Sequence, residues 1–140
     1  MTAYALKAYR STELHSRCEE SDKRDLVIMM YDAAIDAIRL AGEHARRQER
    51  RAASASTSRA LSILAALRET LDRSQGGTVA GHLDDFYQFL MRRLVRTSGG
   101  ASTEDLAECE DLLGQVREAW AAITPQAVGE VNRRMFVVHS

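Results

Sequence analysis

Leu26-Val27-Ile28-Met29-Met30-Tyr31-Asp32-Ala33-Ala34-Ile35-Asp36-Ala37-Ile38-Arg39-Leu40 is the stretch that decides the fold, because only Asp32, Asp36 and Arg39 interrupt its apolar residues. The spacing is helical rather than alternating. At about 100° per residue, Leu26, Met30, Ala33, Ala37 and Leu40 lie on one face, and Ile28, Tyr31, Ile35 and Ile38 lie nearly opposite. Val27 and Ala34 bridge the two stripes, leaving Asp32, Asp36, Arg39 and Glu43 as a narrow polar strip. A helix at the corner of a four-helix bundle needs an apolar arc wide enough for two neighbours, and this arc exceeds it. Something further should cover the remainder: the chain's own N-terminal segment, a second copy of the chain, or a bound protein. Which stripe faces inward stays open at this level.

Outward from this stretch the chain reads as helices with short joints. The first helix is expected over 22–50, capped by Ser21 or Asp22, with a polar, Ser-rich joint at Ala52–Ser58. A second, over 57–74, carries Ala60, Leu64, Leu67 and Leu71 and ends before Gly76-Gly77. A third, over 78–97, carries Val79, Leu83, Phe86, Leu90 and Leu94 and stops before Gly99-Gly100. The fourth, over 103–123, opens on the capping-box variant Ser102-Thr103-Glu104-Asp105 and closes before Pro125. Its apolar residues Leu106, Cys109, Leu113, Val116, Trp120 and Ile123 form a bundle seam. These elements predict an all-α fold, an antiparallel four-helix bundle, on which a short N-terminal segment is one of the candidate covers. Residues 1–125 make one domain, and the tail 126–140, with Met135-Phe136-Val137-Val138, has no assigned role.

Composition narrows the function classes. Nineteen basic against twenty acidic side chains give a net charge of -1, without the basic patch that nucleic-acid binding requires. The run Leu26–Tyr31 is far shorter than a membrane helix, and Lys7 precedes any signal-peptide core, so a soluble cytoplasmic protein is expected. Cys18 and Cys109 read as free thiols. No Glu has a His three residues later, so a carboxylate-bridged metal site is not expected, nor is any cofactor. Phosphate-cradling motifs and catalytic triads are likewise missing, and an enzyme is not expected. One enzyme-linked alternative is a histidine phosphotransfer bundle using His82, which Asp84 and Asp85 oppose by repelling a phosphate. A generic dimerisation module is the other alternative.

Two blocks carry a more specific signal. Leu26-Val27-Ile28-Met29-Met30-Tyr31-Asp32-Ala33-Ala34-Ile35 resembles the opening of the main body of FliS-type flagellin export chaperones. Gly76-Gly77-Thr78-Val79-Ala80, with Leu83-Asp84-Asp85-Phe86-Tyr87 through Arg92-Arg93-Leu94, resembles a second block of that family. Lys7-Ala8-Tyr9 and Glu118-Ala119-Trp120 also match, so the resemblance runs from about Tyr4 to Pro125. It implies a chaperone that binds the disordered C-terminal segment of flagellin, prevents premature polymerisation and delivers the subunit to the flagellar export gate. It also implies an N-terminal plug, for which Tyr9 and Tyr4 are the candidates, lying over the groove when no client is present. The expected groove comprises Ile28, Tyr31, Ile35 and Ile38 with Leu61 and Ile63 flanking it, and Asp32 is expected to pair with Arg92 or Arg93.

Overall fold

The computed structural model describes residues 16–71, 78–97 and 102–122, which form four helices and, among the described residues, no strand. They are α1 (Ser16–Arg46), α2 (Arg50–Glu69), α3 (Thr78–Thr97) and α4 (Thr103–Ala122). α1 packs most extensively on α2 and then on α4, and α3 closes the ring against α2 and α4. α1 and α4 run antiparallel, since their side-chain contacts descend along one as they ascend along the other. Arg24 donates to the Ala121 carbonyl at 3.0 Å, Arg117 to Asp32 at 2.9 Å, and Arg39 to Glu110 at 2.9 Å. Arg24 thereby satisfies carbonyls that the end of α4 leaves without helical partners.

The α1–α2 joint falls earlier than expected. α1 stops at Arg46, and Arg47, Gln48 and Glu49 make the turn. Gln48 takes φ 61°, its N–H donates to the Ala45 carbonyl, and the Glu49 N–H reaches back to the His44 carbonyl at 2.9 Å. That pair of bonds is a Schellman ending, usually built on glycine. Here glutamine occupies the left-handed position, and His44 Nδ1 meets the Glu49 carboxylate at 2.6 Å across the turn. The Ser-rich stretch expected as the joint is instead the first half of α2. Its small residues explain why: Ala53, Ser56 and Thr57 are buried, and Thr57 Oγ1 donates to the Ala53 carbonyl at 2.9 Å, so its hydroxyl has a partner inside. α1 also starts earlier, at Ser16 rather than 22, and α2 ends at Glu69 rather than 74.

α3 spans Thr78–Thr97 and α4 spans Thr103–Ala122, and residue 123, expected as the last of α4, lies outside the described residues. Ser102 Oγ accepts the Asp105 N–H at 3.2 Å, which is one half of the expected capping box. The other half is not made as expected, because the Asp105 carboxylate accepts from Arg96 at 2.9 Å and from Arg93 at 3.3 Å. These two guanidiniums hold its carboxyl below the ordinary aspartate range, with the Arg96 hydrogen bond foremost.

The core collects all four helices. Ile38, Leu64, Leu67, Leu90, Leu94 and Leu113 are fully buried with Tyr31 and Tyr87. At 1.5–3 kcal/mol for each side chain of this size, as a rough guide, such burial dominates the stability of a small bundle. The seam expected on α2 is buried at Ala60, Leu64 and Leu67, and Leu71, two residues past the end of α2, is buried as well. On α3 the buried line is Ala80, Tyr87, Leu90 and Leu94, while Val79, Leu83 and Phe86 sit half-buried at its flank.

Candidate functional site

α1 positions the candidate surface. Its buried residues are Val27, Met30, Tyr31, Ala34, Ala37, Ile38 and Ala41, which fall within an arc of ~120° at the helical repeat. The centre of that arc is the pair that bridges the two sequence stripes, Val27 and Ala34, and neither stripe is the inward face by itself. Alanines at 34, 37 and 41 keep the arc shallow, which lets neighbouring backbones approach. Each stripe is therefore split. Tyr31 and Ile38, expected to line a groove, are 0% and 1% exposed and lie in the core and not on the surface. Ile28 and Ile35 remain half-buried at one edge. At the other edge Met29 and Leu40 stand 66% and 46% exposed.

Two edges of α1 face different neighbours. Arg24, Asp32 and Arg39 all bond to α4, and Ile28 and Ile35 share their side of the helix, so these isoleucines border the α1–α4 seam. Leu61 and Ile63 are half-buried on α2, on opposite flanks of the Ala60–Leu64–Leu67 line. The structure thus does not bring Ile28, Ile35, Leu61 and Ile63 into one groove; it distributes them around the bundle. On α3, Val95 is a further large apolar side chain left 58% exposed. Tyr4 and Tyr9 lie outside the described residues.

Along the α1–α4 seam runs an open groove of about 870 Å³ with Ile35, Ala107 and Gly114 on its apolar side. Asp32, Asp36, Glu110, Asp111 and Glu118 surround it together with Arg39 and Arg117. Arg117 forks onto the two Asp32 oxygens at 2.9 and 3.4 Å. This corrects the expected partner of Asp32: neither Arg92 nor Arg93 is on a neighbouring face. Arg92 is exposed on α3, and Arg93 bonds to Asp105 and Glu108 of α4 while its guanidinium stacks 4.9 Å from the Phe89 ring. The choice between α3 and α4 as the partner of Asp32 depends on helix order in space, which a single-helix pattern does not contain.

Beneath the seam lies a polar cluster that the sequence did not single out. Tyr31 and Tyr87 hydroxyls are 2.5 Å apart, and Trp120 Nε1 donates to the Tyr31 hydroxyl at 3.0 Å. Three helices are pinned at one point, with the tyrosine rings edge to face at 6.3 Å. Burial raises the Tyr31 hydroxyl to about 12, against the lowering effect of its two hydrogen bonds, and pushes Tyr87 well above the usual tyrosine value. These are structural hydroxyls held neutral, not acid–base groups. Burial likewise pushes the Cys109 thiol to about 11. His82 is exposed at the start of α3, and the neighbouring Asp84 carboxylate accepts from Arg68 at 2.7 Å. Among the described residues no group of His, Cys, Asp and Glu side chains is placed to hold a metal ion, and no described helix is long and apolar enough to cross a membrane.

The described residues form a helical bundle with a closed core, and Met29, Leu40 and Val95 are its large exposed apolar side chains. Residues 5–127 match the family model for the flagellar protein FliS, and the chain belongs to that family, a family of chaperones and not of enzymes. The chain is similar to the flagellar secretion chaperone FliS of Salmonella typhimurium, 29% identical over 133 residues that cover 94% of this chain and 98% of that one. It is also similar to the flagellar secretion chaperone FliSB of Pseudomonas aeruginosa, 26% identical, covering 86% of this chain and 95% of the relative. The FliS chaperone of Vibrio cholerae is 24% identical over 87% of this chain and 90% of its own length.

Proposed function

We propose that the chain is a cytoplasmic chaperone that holds the disordered C-terminal segment of flagellin, keeps the subunit from polymerising early and carries it to the flagellar export gate. The observation that carries this reading is the family match over residues 5–127, with relatives named as flagellar secretion chaperones aligned along nearly their whole length. The outer surface of the bundle supports it. Ile28 and Ile35 on one side of α1, Met29 and Leu40 on the other, and Leu61 and Ile63 on the two flanks of α2 offer apolar contact at several seams. A folded client would meet such a surface at one seam only. A disordered segment wraps several, losing ordering entropy that extensive contact must offset. Around six side chains at a rough 1.5–3 kcal/mol each give on the order of 9–18 kcal/mol gross, of which association and ordering remove a large part. The expected affinity is therefore in the micromolar to nanomolar range.

The test is calorimetric titration of the full chain with a peptide covering about 40 C-terminal residues of the host flagellin. Binding at micromolar or better, with a large negative heat-capacity change and at least tenfold weakening by Ile35→Asp in a variant whose helicity is intact, supports the reading. Absence of binding to the folded chain refutes it, and size that grows with concentration without any client favours self-association instead.

A further inference from the structure

We propose that the corner where α1 turns into α2 is a docking surface for an acidic protein segment, whose carboxylates pair with Arg46, Arg47, Arg50 and Arg51. The four arginines fall within six residues, and all are exposed. Among the described residues none of them has an ion pair or a side-chain hydrogen bond, whereas Arg24, Arg39, Arg68, Arg93, Arg96 and Arg117 each meet a carboxylate. Glu49, the one carboxylate of the turn, faces His44 Nδ1 at 2.6 Å and makes no cap bond to α2. From Arg50 to Arg68 there is no acidic residue, so α2 carries four arginines against Glu69 alone, in a chain whose net charge is -1. This placement works against the fold. A helix N-terminus is the positive end of the macrodipole and is stabilised by acidic side chains in its first turn. α2 has none there and begins with Arg50 and Arg51, beside Arg46 and Arg47 across the turn. A cluster that repels itself in the free chain is relieved by a partner of opposite sign.

The surroundings select the kind of anion. Arg93 and Arg96 of α3 reach Asp105, and Arg39 of α1 reaches Glu110, so the end of α3, the start of α4 and the end of α1 share one end of the bundle. Exposed Glu104 and Glu108 on α4 therefore stand at the same end as the arginines. A flat anionic membrane laid across that end meets both signs. A short acidic segment confined to the α1–α2 corner meets arginines alone. Nucleic acid fits poorly, because no Phe, Trp or Tyr between Tyr31 and Phe86 is there to stack on a base. The corner also uses arginine at every basic position and lysine at none. A guanidinium fork binds a carboxylate through two parallel hydrogen bonds, which an ammonium group does not. This inference does not depend on the identity of the client.

Fluorescence anisotropy of a fluorescein-labelled octaglutamate peptide, titrated with the full chain at low salt where screening is weakest, tests it. The expected result is binding that weakens at least tenfold when Arg50→Glu and Arg51→Glu are combined. Arg59→Glu with Arg92→Glu changes the charge equally at exposed sites away from the corner and should weaken binding less than twofold. The first variant should also melt at a higher temperature than the parent, because it places acidic side chains in the first turn of α2, so its loss of binding is not a loss of fold. No binding, or equal weakening in both variants, overturns the proposal. So does tighter binding through the same arginines to phosphatidylglycerol vesicles, or to a single-stranded oligonucleotide of the same charge, than to the peptide. Size that grows with concentration and is held constant by the first variant means that the corner meets a second copy, and the proposal fails.

Discussion

Tyr31→Phe should cost far more than its mirror change, Tyr87→Phe, although both delete one buried hydroxyl 2.5 Å from the other. The asymmetry comes from Trp120, whose Nε1–H points at Tyr31 and not at Tyr87. Removing the Tyr31 hydroxyl strands that of Tyr87 in a site 1% exposed, a desolvation cost of about 1–3 kcal/mol, and also breaks the Trp120 bond, worth about 0.5–1.5 kcal/mol. The sum is roughly 1.5–4.5 kcal/mol. Removing the Tyr87 hydroxyl leaves Tyr31 still accepting from Trp120 and should cost about 0.5–1.5 kcal/mol. In the double variant the stranded group is gone, so adding Tyr87→Phe to Tyr31→Phe should be neutral or stabilising, with a coupling of about 1–3 kcal/mol. Urea unfolding followed by helical circular dichroism measures all four corners of the cycle. Additive single costs, or a Tyr87→Phe more damaging than Tyr31→Phe, would refute the placement of Tyr31 between Trp120 and Tyr87.

Other expectations follow from particular residues. An acid whose folded pKa lies above its unfolded value keeps its proton longer in the native state, so its contribution is full below the unfolded pKa and is lost as pH rises through the folded one. Cys109, raised to about 11, and Tyr31, raised to about 12, therefore predict stability that is level up to about pH 9 and declines through pH 12, and Tyr31→Phe should flatten the upper part of that decline. Gln48 holds a left-handed conformation at φ 61° that glycine adopts freely, so Gln48→Gly should stabilise by a few tenths to about 1 kcal/mol, whereas Gln48→Val should destabilise; thermal unfolding distinguishes the two. Gly81 sits inside α3 with nothing within 4 Å of an added Cβ, and Gly81→Ala should raise stability by about 0.5–1 kcal/mol in the same assay.

Much of the bundle is legible in the sequence where a helix has one apolar line and a chemical stop. α4 satisfies both, with proline beyond its end and the expected seam residues Leu106, Cys109, Leu113 and Trp120 buried, whereas on α3 only Leu90 and Leu94 of the expected line are buried and Val79, Leu83 and Phe86 flank it. α1 satisfies neither condition. Several of its large apolar residues, Ile28, Ile35 and Leu40, lie at or beyond the edges of the buried arc, while its centre is built from Val27, Ala34 and Ala41. Reading by side-chain size finds the edges and misses the centre, because close helix contact selects small residues there. The α1–α2 joint was illegible for a related reason. Serine and threonine in Ala52–Ser58 suggest a loop, but their small volume suits them to a tight helix interface, and the true turn uses a glutamine that carries no stop signal.

The burial of Tyr31, Ile38 and Trp120 bears directly on how a client can be held. If the binding groove ran through those residues, binding would require the core to open, and every variant that weakened binding would also weaken the fold. With the core closed, the apolar side chains left for a client are those at the seams: Ile28 and Ile35 beside α4, Met29 and Leu40 on the other edge of α1, and Leu61 and Ile63 on α2. Their exposed atoms contribute little to the isolated bundle, so polar replacements at the most exposed of them, Met29→Glu and Leu40→Glu, should fall within about 0.5 kcal/mol of the parent stability. Under the proposed function the same replacements lower client affinity. Stability and binding are then separable in this chain, and a variant set that moves both together would place the client inside the bundle and not around it.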